Sequence, residues 1–368
     1  LSRAKFYNAQ GDSAAFDREV FQALKSASLD APTKIEILRS YVADLYTDRR
    51  QEARIKELFN TLQDQHSGEP QIHDLYASYL YELHDYEGAA EQFSYSAALD
   101  PTSEQTWISY VQMLAMAEDT AGVIEQATQA MHRFPQNLYF PILTSNMYRM
   151  LDDNTRAMAV LDSVDISQVN NELAVSNLLT SKGDLFAVMG DTVQALATYE
   201  KAIETYPDNK MAMNNAAYFM ALTDTDLDKA ERYSARSLQG DELNPTYLDT
   251  YAWVFFKKKD YKMAKQYIDI ALNSYAVEAV DTVFADNDTI YVPDVTDTSG
   301  NISADTENSL VTEETEIPSA DVYDHAGDIY FMNGEHAKAV EFWEKAHALE
   351  PEDETIAKKV KHRTIFFK

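Results

Sequence analysis

Small residues recur through this 368-residue chain in pairs twelve positions apart: Ala77/Ala89, Val111/Val123, Ser145/Ala157, Gly183/Ala195, Ala252/Ala264 and Gly327/Ala339. Ala217/Ala230 is the same pair with one extra residue, and successive pairs step by 34, 34, 38, 34, 35 and 75 residues. A fixed period near 34 residues belongs to a supersecondary unit that cannot bury its apolar faces alone and stacks on copies of itself.

Two segments define the unit. Residues 179–209 and 323–353 share, without gaps, Gly183/Gly327, Asp184/Asp328, Gly190/Gly334, Ala195/Ala339, Glu200/Glu344, Lys201/Lys345, Ala202/Ala346 and Pro207/Pro351. Each half places apolar residues at helical spacing. Gly190 and Gly334 fall between the halves, where a helix needs a left-handed C-cap. Pro207 and Pro351 end the second half. The unit is two antiparallel helices of roughly a dozen residues joined by a tight turn. Its small residues let facing helices approach. The large residue four beyond each second small residue (Phe93, Leu161, Tyr199, Ile268, Trp343) is expected to fill the gap to the neighbouring hairpin.

The pattern resembles the tetratricopeptide-repeat family. Its motif W-x2-L-G-x2-Y…A-x3-F…P is met in pieces by Trp107, Tyr110, Ala130 and Pro135, more fully by Gly183, Phe186, Ala195, Tyr199 and Pro207, and again by Gly327, Tyr330, Ala339, Trp343 and Pro351. The resemblance covers roughly residues 36–353 apart from one insertion. It implies an all-α fold, a right-handed α-solenoid of antiparallel hairpins whose first helices line a concave groove.

The phase then divides the chain. Residues 1–35 read as a truncated repeat with a turn near Gly11 and a second helix near Phe16. Because the chain begins at Leu1, we expect it to be part of a longer protein. Residues 36–272 form the array, starting with a degenerate repeat built on Ala43/Ile55 and Phe59. The step of 38 puts about four extra residues near 165–171, and the step of 75 puts an insertion at 273–318 with eleven acidic and no basic residues. Within it, 282–292 alternates and could form a hairpin around Asp286 and Asp288. Residues 294–316 lack the apolar surface to pack and read as disordered. Residues 319–353 are the last repeat and 354–368 a capping helix. There Ile356 and Val360 pack inward, while Lys358, Lys359, Lys361, His362 and Arg363 face out.

Composition narrows the function. The formal net charge of −30 repels nucleic acid and anionic membrane surfaces. No run of eighteen apolar residues suggests a transmembrane helix, and with no cysteine there is no disulfide or thiolate metal site. No G-x-S-x-G, G-x-x-x-x-G-K or H-E-x-x-H occurs. His325, His336 and His347 fall on different helices of the last repeat and its turn. Asp286, Asp288, Asp294 and Asp297 do not follow a calcium-loop spacing. The expectation is a non-enzymatic protein without cofactor or metal.

What the resemblance implies about binding can be placed residue by residue. Groove positions on successive first helices are Asn146 and Arg149, Asn177, Thr180 and Asp184, Asn214 and Tyr218, Asp249 and Trp253, then Asp324 and Asp328. Asparagine hydrogen-bonds a peptide backbone in both senses, and Tyr and Trp give contact area at low entropic cost. The stretch from Asn146 to Trp253 is the richest. Some relatives clamp the C-terminal carboxylate of chaperones with Lys, Asn and Arg on three successive first helices. Asn215 sits near the asparagine place, but Thr180, Asp184, Thr246 and Thr250 flank it, and the clamp is rejected. The expected function is a scaffold holding an extended neutral or basic peptide or a partner helix, with the insertion covering the groove or presenting a second site. The alternative is a structural accessory subunit of a bacterial cell-envelope assembly. The looser resemblance to long bacterial repeat proteins leans toward an envelope location, with the cytoplasm as the other choice.

Overall fold

The computed structural model describes residues 2–46, 52–284 and 317–366. Among them the regular structure is helical, with no strand. The chain divides into two units, Leu1–Val164 and Asp165–Lys368.

The first unit contains α1 (Ser2–Ala9), α2 (Ser13–Lys25), α3 (Ala31–Tyr46), α4 (Glu52–Gln65), α5 (Pro70–Glu82), α6 (Tyr86–Leu99), α7 (Glu104–Met116), α8 (Thr120–Arg133), α9 (Tyr139–Met150) and α10 (Asn154–Asp162). From α5 onward consecutive helices pair as hairpins, and α6 meets α7 as α8 meets α9. The second unit opens with a short 3-10 turn, Ile166–Gln168, in the stretch where the period calls for extra residues. It continues with α11 (Glu172–Val188), α12 (Thr192–Thr205), α13 (Lys210–Leu222), α14 (Leu227–Ser237), α15 (Pro245–Lys257), α16 (Tyr261–Phe284), α17 (Ala320–Met332), α18 (His336–Leu349) and α19 (Glu354–His362). These pair as α11–α12, α13–α14, α15–α16 and α17–α18, each touching the next pair, and α19 packs on α18.

The twelve-residue pairs are buried in every hairpin from α5 to α18. Where the pair holds a serine, its hydroxyl is satisfied locally: Ser145 Oγ donates to the carbonyl of Ala157, the other member, at 3.1 Å. The turns share one design. In five of them a residue with positive φ ends the first helix, and the next residue, an aspartate, accepts a hydrogen bond from the backbone three residues on, in the second helix; after Gly334 the residue is Glu335, which makes no such bond. Asp85, Asp119, Asp153, Asp191 and Asp260 serve in this way. Gly190 and Gly334 take φ of 79° and 82°, as the sequence requires, whereas His84, Glu118, Asp152 and Lys259 hold 57° to 65° without a glycine.

Two expectations change. Thr282, Val283 and Phe284 are not the start of a strand, because α16 runs unbroken through them for 24 residues. Its side of the hairpin is simply longer, since Ala271 and Tyr275 continue its buried stripe. The rest of the suggested hairpin and the segment read as disordered lie outside the described residues. Lys359 does not face out. It is 2% exposed, held by two aspartates of α17.

Candidate protein-binding face of the second unit

Two first helices of the second unit, α11 and α17, carry a glycine where an aromatic side chain must lie against them. A Cβ on Gly183 would stand 2.4 Å from Tyr199 Cε1, and one on Gly327 would stand 2.3 Å from Trp343 Cδ1. Each ring therefore packs on its own hairpin's glycine, not only toward the next hairpin as expected. Tyr199 does both, stacking also on Phe219 of α13 at 5.8 Å. The residue after each glycine then accepts from the ring: Tyr199 Oη donates to Asp184 Oδ1 at 2.7 Å, and Trp343 Nε1 donates to Asp328 Oδ1 at 3.0 Å.

The tetratricopeptide-repeat family matches the sequence at these two places, residues 182–209 and 320–353. This is a tetratricopeptide-repeat protein. No curated protein matches it in sequence, but solved structures match its fold. It is similar to the APC/C hetero-tetramer Cut9–Hcn1 with 13% identity and a TM-score of 0.52 over 95% of this chain, spanning 62% of that chain. It is also similar to a tetratricopeptide repeat protein from Parabacteroides merdae (13% identity, TM-score 0.49, 80% of this chain and 98% of that one) and to pilF of Pseudomonas aeruginosa (11%, 0.48, 71% and 97%). Repeats of this family build extended binding surfaces from side chains on successive units. Among the described residues no helix is long and apolar enough to cross a membrane, and no group of His, Asp and Glu could hold a metal ion.

The candidate residues of the tetratricopeptide array fall in two places. Asn146, half-buried, and Arg149, exposed, lie on α9 of the first unit. The others lie on α11, α13 and α15 of the second. Asn177 is half-buried and accepts from Asn209 Nδ2 at 3.0 Å. Asn209 caps α13 and also donates to Ser176 Oγ at 2.8 Å, so it ties the start of one first helix to the middle of the previous one. Asp184 accepts from Asn215 Nδ2 of α13 at 3.0 Å, beside its bond from Tyr199. Asn215 thus points back along the array.

Three positions expected to be open are buried. Asn214 is 5% exposed, Asp249 7% and Trp253 8%. For Asp249 and Trp253 the cause is His325 of α17, which the groove reading overlooked. Its ring stacks on Trp253 at 4.0 Å and 18°, and its Nδ1 donates to both oxygens of Asp249 at 3.0 and 3.1 Å. Tyr218 stays half-buried, its ring 6.1 Å from that of His325. Burial, with the carboxylates of Asp321, Asp249 and Asp324 nearby, pushes the Tyr218 hydroxyl well above its ordinary value. Asp324 and Asp328, also placed in the groove from sequence, instead grip Lys359 of α19 at 2.8 to 2.9 Å. Burial pushes the Asp328 carboxyl up to about 6, against the opposing pull of Lys359. The signal for these partners was periodic: His325 and Lys359 stand 34 residues apart, one repeat, as do two side chains with the same job.

Proposed function

We propose that this protein is a non-enzymatic scaffold and that the first helices of its second unit hold an extended, neutral or basic peptide. The observation that carries this is the row formed by Asn177, Asp184 and Tyr218 on α11 and α13. These side chains are polar or aromatic and only half-buried; Asn177 and Asp184 are held by hydrogen bonds from the next repeat, and the Tyr218 ring lies 6.1 Å from that of His325. Side chains fixed in this way lose little entropy on binding. The charge of −30 disfavours acidic partners.

The test uses the whole chain and a random library of twelve-residue peptides. Wild type should capture peptides, and Tyr218→Ala with Asn177→Ala should lower affinity for them by about tenfold or more, since central aromatic contacts dominate such surfaces. Trp253 is unsuitable as a probe because truncating a buried, stacked ring costs about 3–5 kcal/mol of stability. Capture that is unchanged in the double variant, with helicity intact, would rule out this face.

A further inference from the structure

Successive first helices of the second unit repeat one contact. Taking each buried small residue (Gly183, Ala217, Ala252, Gly327) as reference, a side chain two positions before it reaches back to the previous first helix. It meets residues three before and one after the reference there. Asn215 reaches Asp184. His325 enters between Asp249 and Trp253. Lys359, one repeat further, enters between Asp324 and Asp328. In the last two junctions a cation-capable side chain fills a seat made by an acceptor and the residue one turn along.

The junction between α13 and α15 breaks the series. The reaching residue there is Thr250, 4% exposed and shorter than histidine or lysine. By the same offsets its seat on α13, which packs against α15, is Asn214 and Tyr218. Asn214 is 95% buried and its Oδ1 has no hydrogen-bond partner. A buried acceptor without a donor costs about 1–3 kcal/mol, so something that binds there has a gain to collect. The surroundings say what charge it has: Asp249, Asp321 and Asp324 all act on the Tyr218 hydroxyl.

We propose that the Asn214–Tyr218 seat is a subsite for one basic side chain, lysine or arginine, of the bound peptide. The partner supplies at this junction the cation that the chain itself supplies as His325 and Lys359 at the next two. The ammonium or guanidinium donates to Asn214 Oδ1, lies against the Tyr218 ring and is attracted by Asp321, since Asp249 and Asp324 already bond His325 and Lys359. This inference rests on the peptide-binding reading above, and it fixes that peptide's chemistry.

The same peptide library separates the two. Peptides captured by wild type should be enriched for one Lys or Arg, with about tenfold or more loss of affinity when that residue is replaced by norleucine. Asn214→Leu should lose this preference while still capturing peptides. Thr250→Lys should lose it too, because it seats the chain's own ammonium in the place that Lys359 takes two junctions on. That variant should also melt no lower than wild type, which guards against a mere folding defect. Peptides captured without basic preference, or a preference that survives Thr250→Lys, would overturn the subsite while leaving the groove standing. No capture at all would overturn both. Arginine amide titrated by NMR gives an independent reading. Shifts at the Asn214 and Tyr218 signals, absent with norleucine amide, support the subsite, and equal shifts with both overturn it.

Discussion

Trp343 on α18 donates its indole N–H to Asp328 on α17 at 3.0 Å while its ring covers Gly327, the residue before that aspartate. Tyr199, Asp184 and Gly183 repeat the arrangement with a hydroxyl in place of the indole. Glycine, acid and aromatic ring therefore act as one unit, and the glycine is fixed by space. Gly327→Ala would press a methyl group to 2.3 Å from the Trp343 ring, which is itself fully buried and has nowhere to go. We expect a loss of about 1–3 kcal/mol, the range for overpacking. It should be read as faster amide exchange across α17 and α18, since a repeat array need not unfold as one. Unchanged protection there would show that the ring has room to shift.

The turns allow a prediction of opposite sign. Gly334 holds φ of 82° with nothing near the space a Cβ would occupy, so Gly334→Ala is opposed by backbone strain alone. That strain is about 1–2 kcal/mol. Lys259 holds φ of 65° at the equivalent turn and its side chain is exposed. Lys259→Gly should relieve the same strain and raise the melting temperature slightly, after allowing for glycine's greater freedom when unfolded. Thermal melts of both variants check the pair. If both melt lower, the Lys259 side chain is doing something the turn geometry does not require.

Lys359 is the buried cation that holds α19 in place. Lys359→Met would leave Asp324 and Asp328 facing each other without it. Breaking one partner of a buried ion pair costs about 3–5 kcal/mol. Lys358→Met should cost almost nothing, because its ammonium is exposed and pairs with Glu354 one turn away. Limited proteolysis of the C-terminal segment compares the two. Adding Asp324→Asn and Asp328→Asn to Lys359→Met should restore much of the resistance, and failure to do so would mean that the lysine stem, not its charge, matters.

Lys359 also shows where the sequence stops being informative. The period gave the hairpins, the buried pairs and both turn glycines, because those follow from spacing along one chain. In a run of Lys358, Lys359, Lys361 and His362, however, nothing local distinguishes the buried lysine from the solvated ones. Its partners stand 35 and 31 residues upstream, on another helix. Trp253 fails for the same reason. Its exposure depends on His325, which lies beyond the insertion, and a local reading sees only an aromatic residue on a groove helix. The alternation at 282–292 suggested a strand, yet Thr282 to Phe284 continue α16 because helical propagation from a packed helix needs no further nucleus.

Asp328 and His325 make the last repeat respond to pH with a definite sign. Burial raises the Asp328 carboxyl from 3.8 to about 6, so between about pH 4 and 6 the folded protein keeps a proton that the unfolded chain has released. Stability from this group falls as pH rises through that window. His325 works in the same direction over a higher range. Burial, the largest influence, pulls its pKa down, but Asp249, Asp321 and Asp324 together outweigh it and the net shift is upward. Its contribution is complete below the unfolded value of 6.5 and is lost as pH rises through the folded one. Exposed carboxylates with lowered values, such as Asp228 beside Lys258, act oppositely but are solvent-screened and weak. We therefore expect amide protection of α17 and α18, corrected for intrinsic exchange, to fall from pH 4.5 to 7.5. The part between pH 4.5 and 6 is worth on the order of 1.5 kcal/mol. Asp328→Asn, which can still accept from Trp343, should flatten that part and leave the fall above pH 6.5. His325→Gln should do the reverse. Parallel profiles for wild type and Asp328→Asn would mean that the buried carboxyl titrates as an ordinary one, and the ion pair with Lys359 would then have to be stronger than its surroundings suggest.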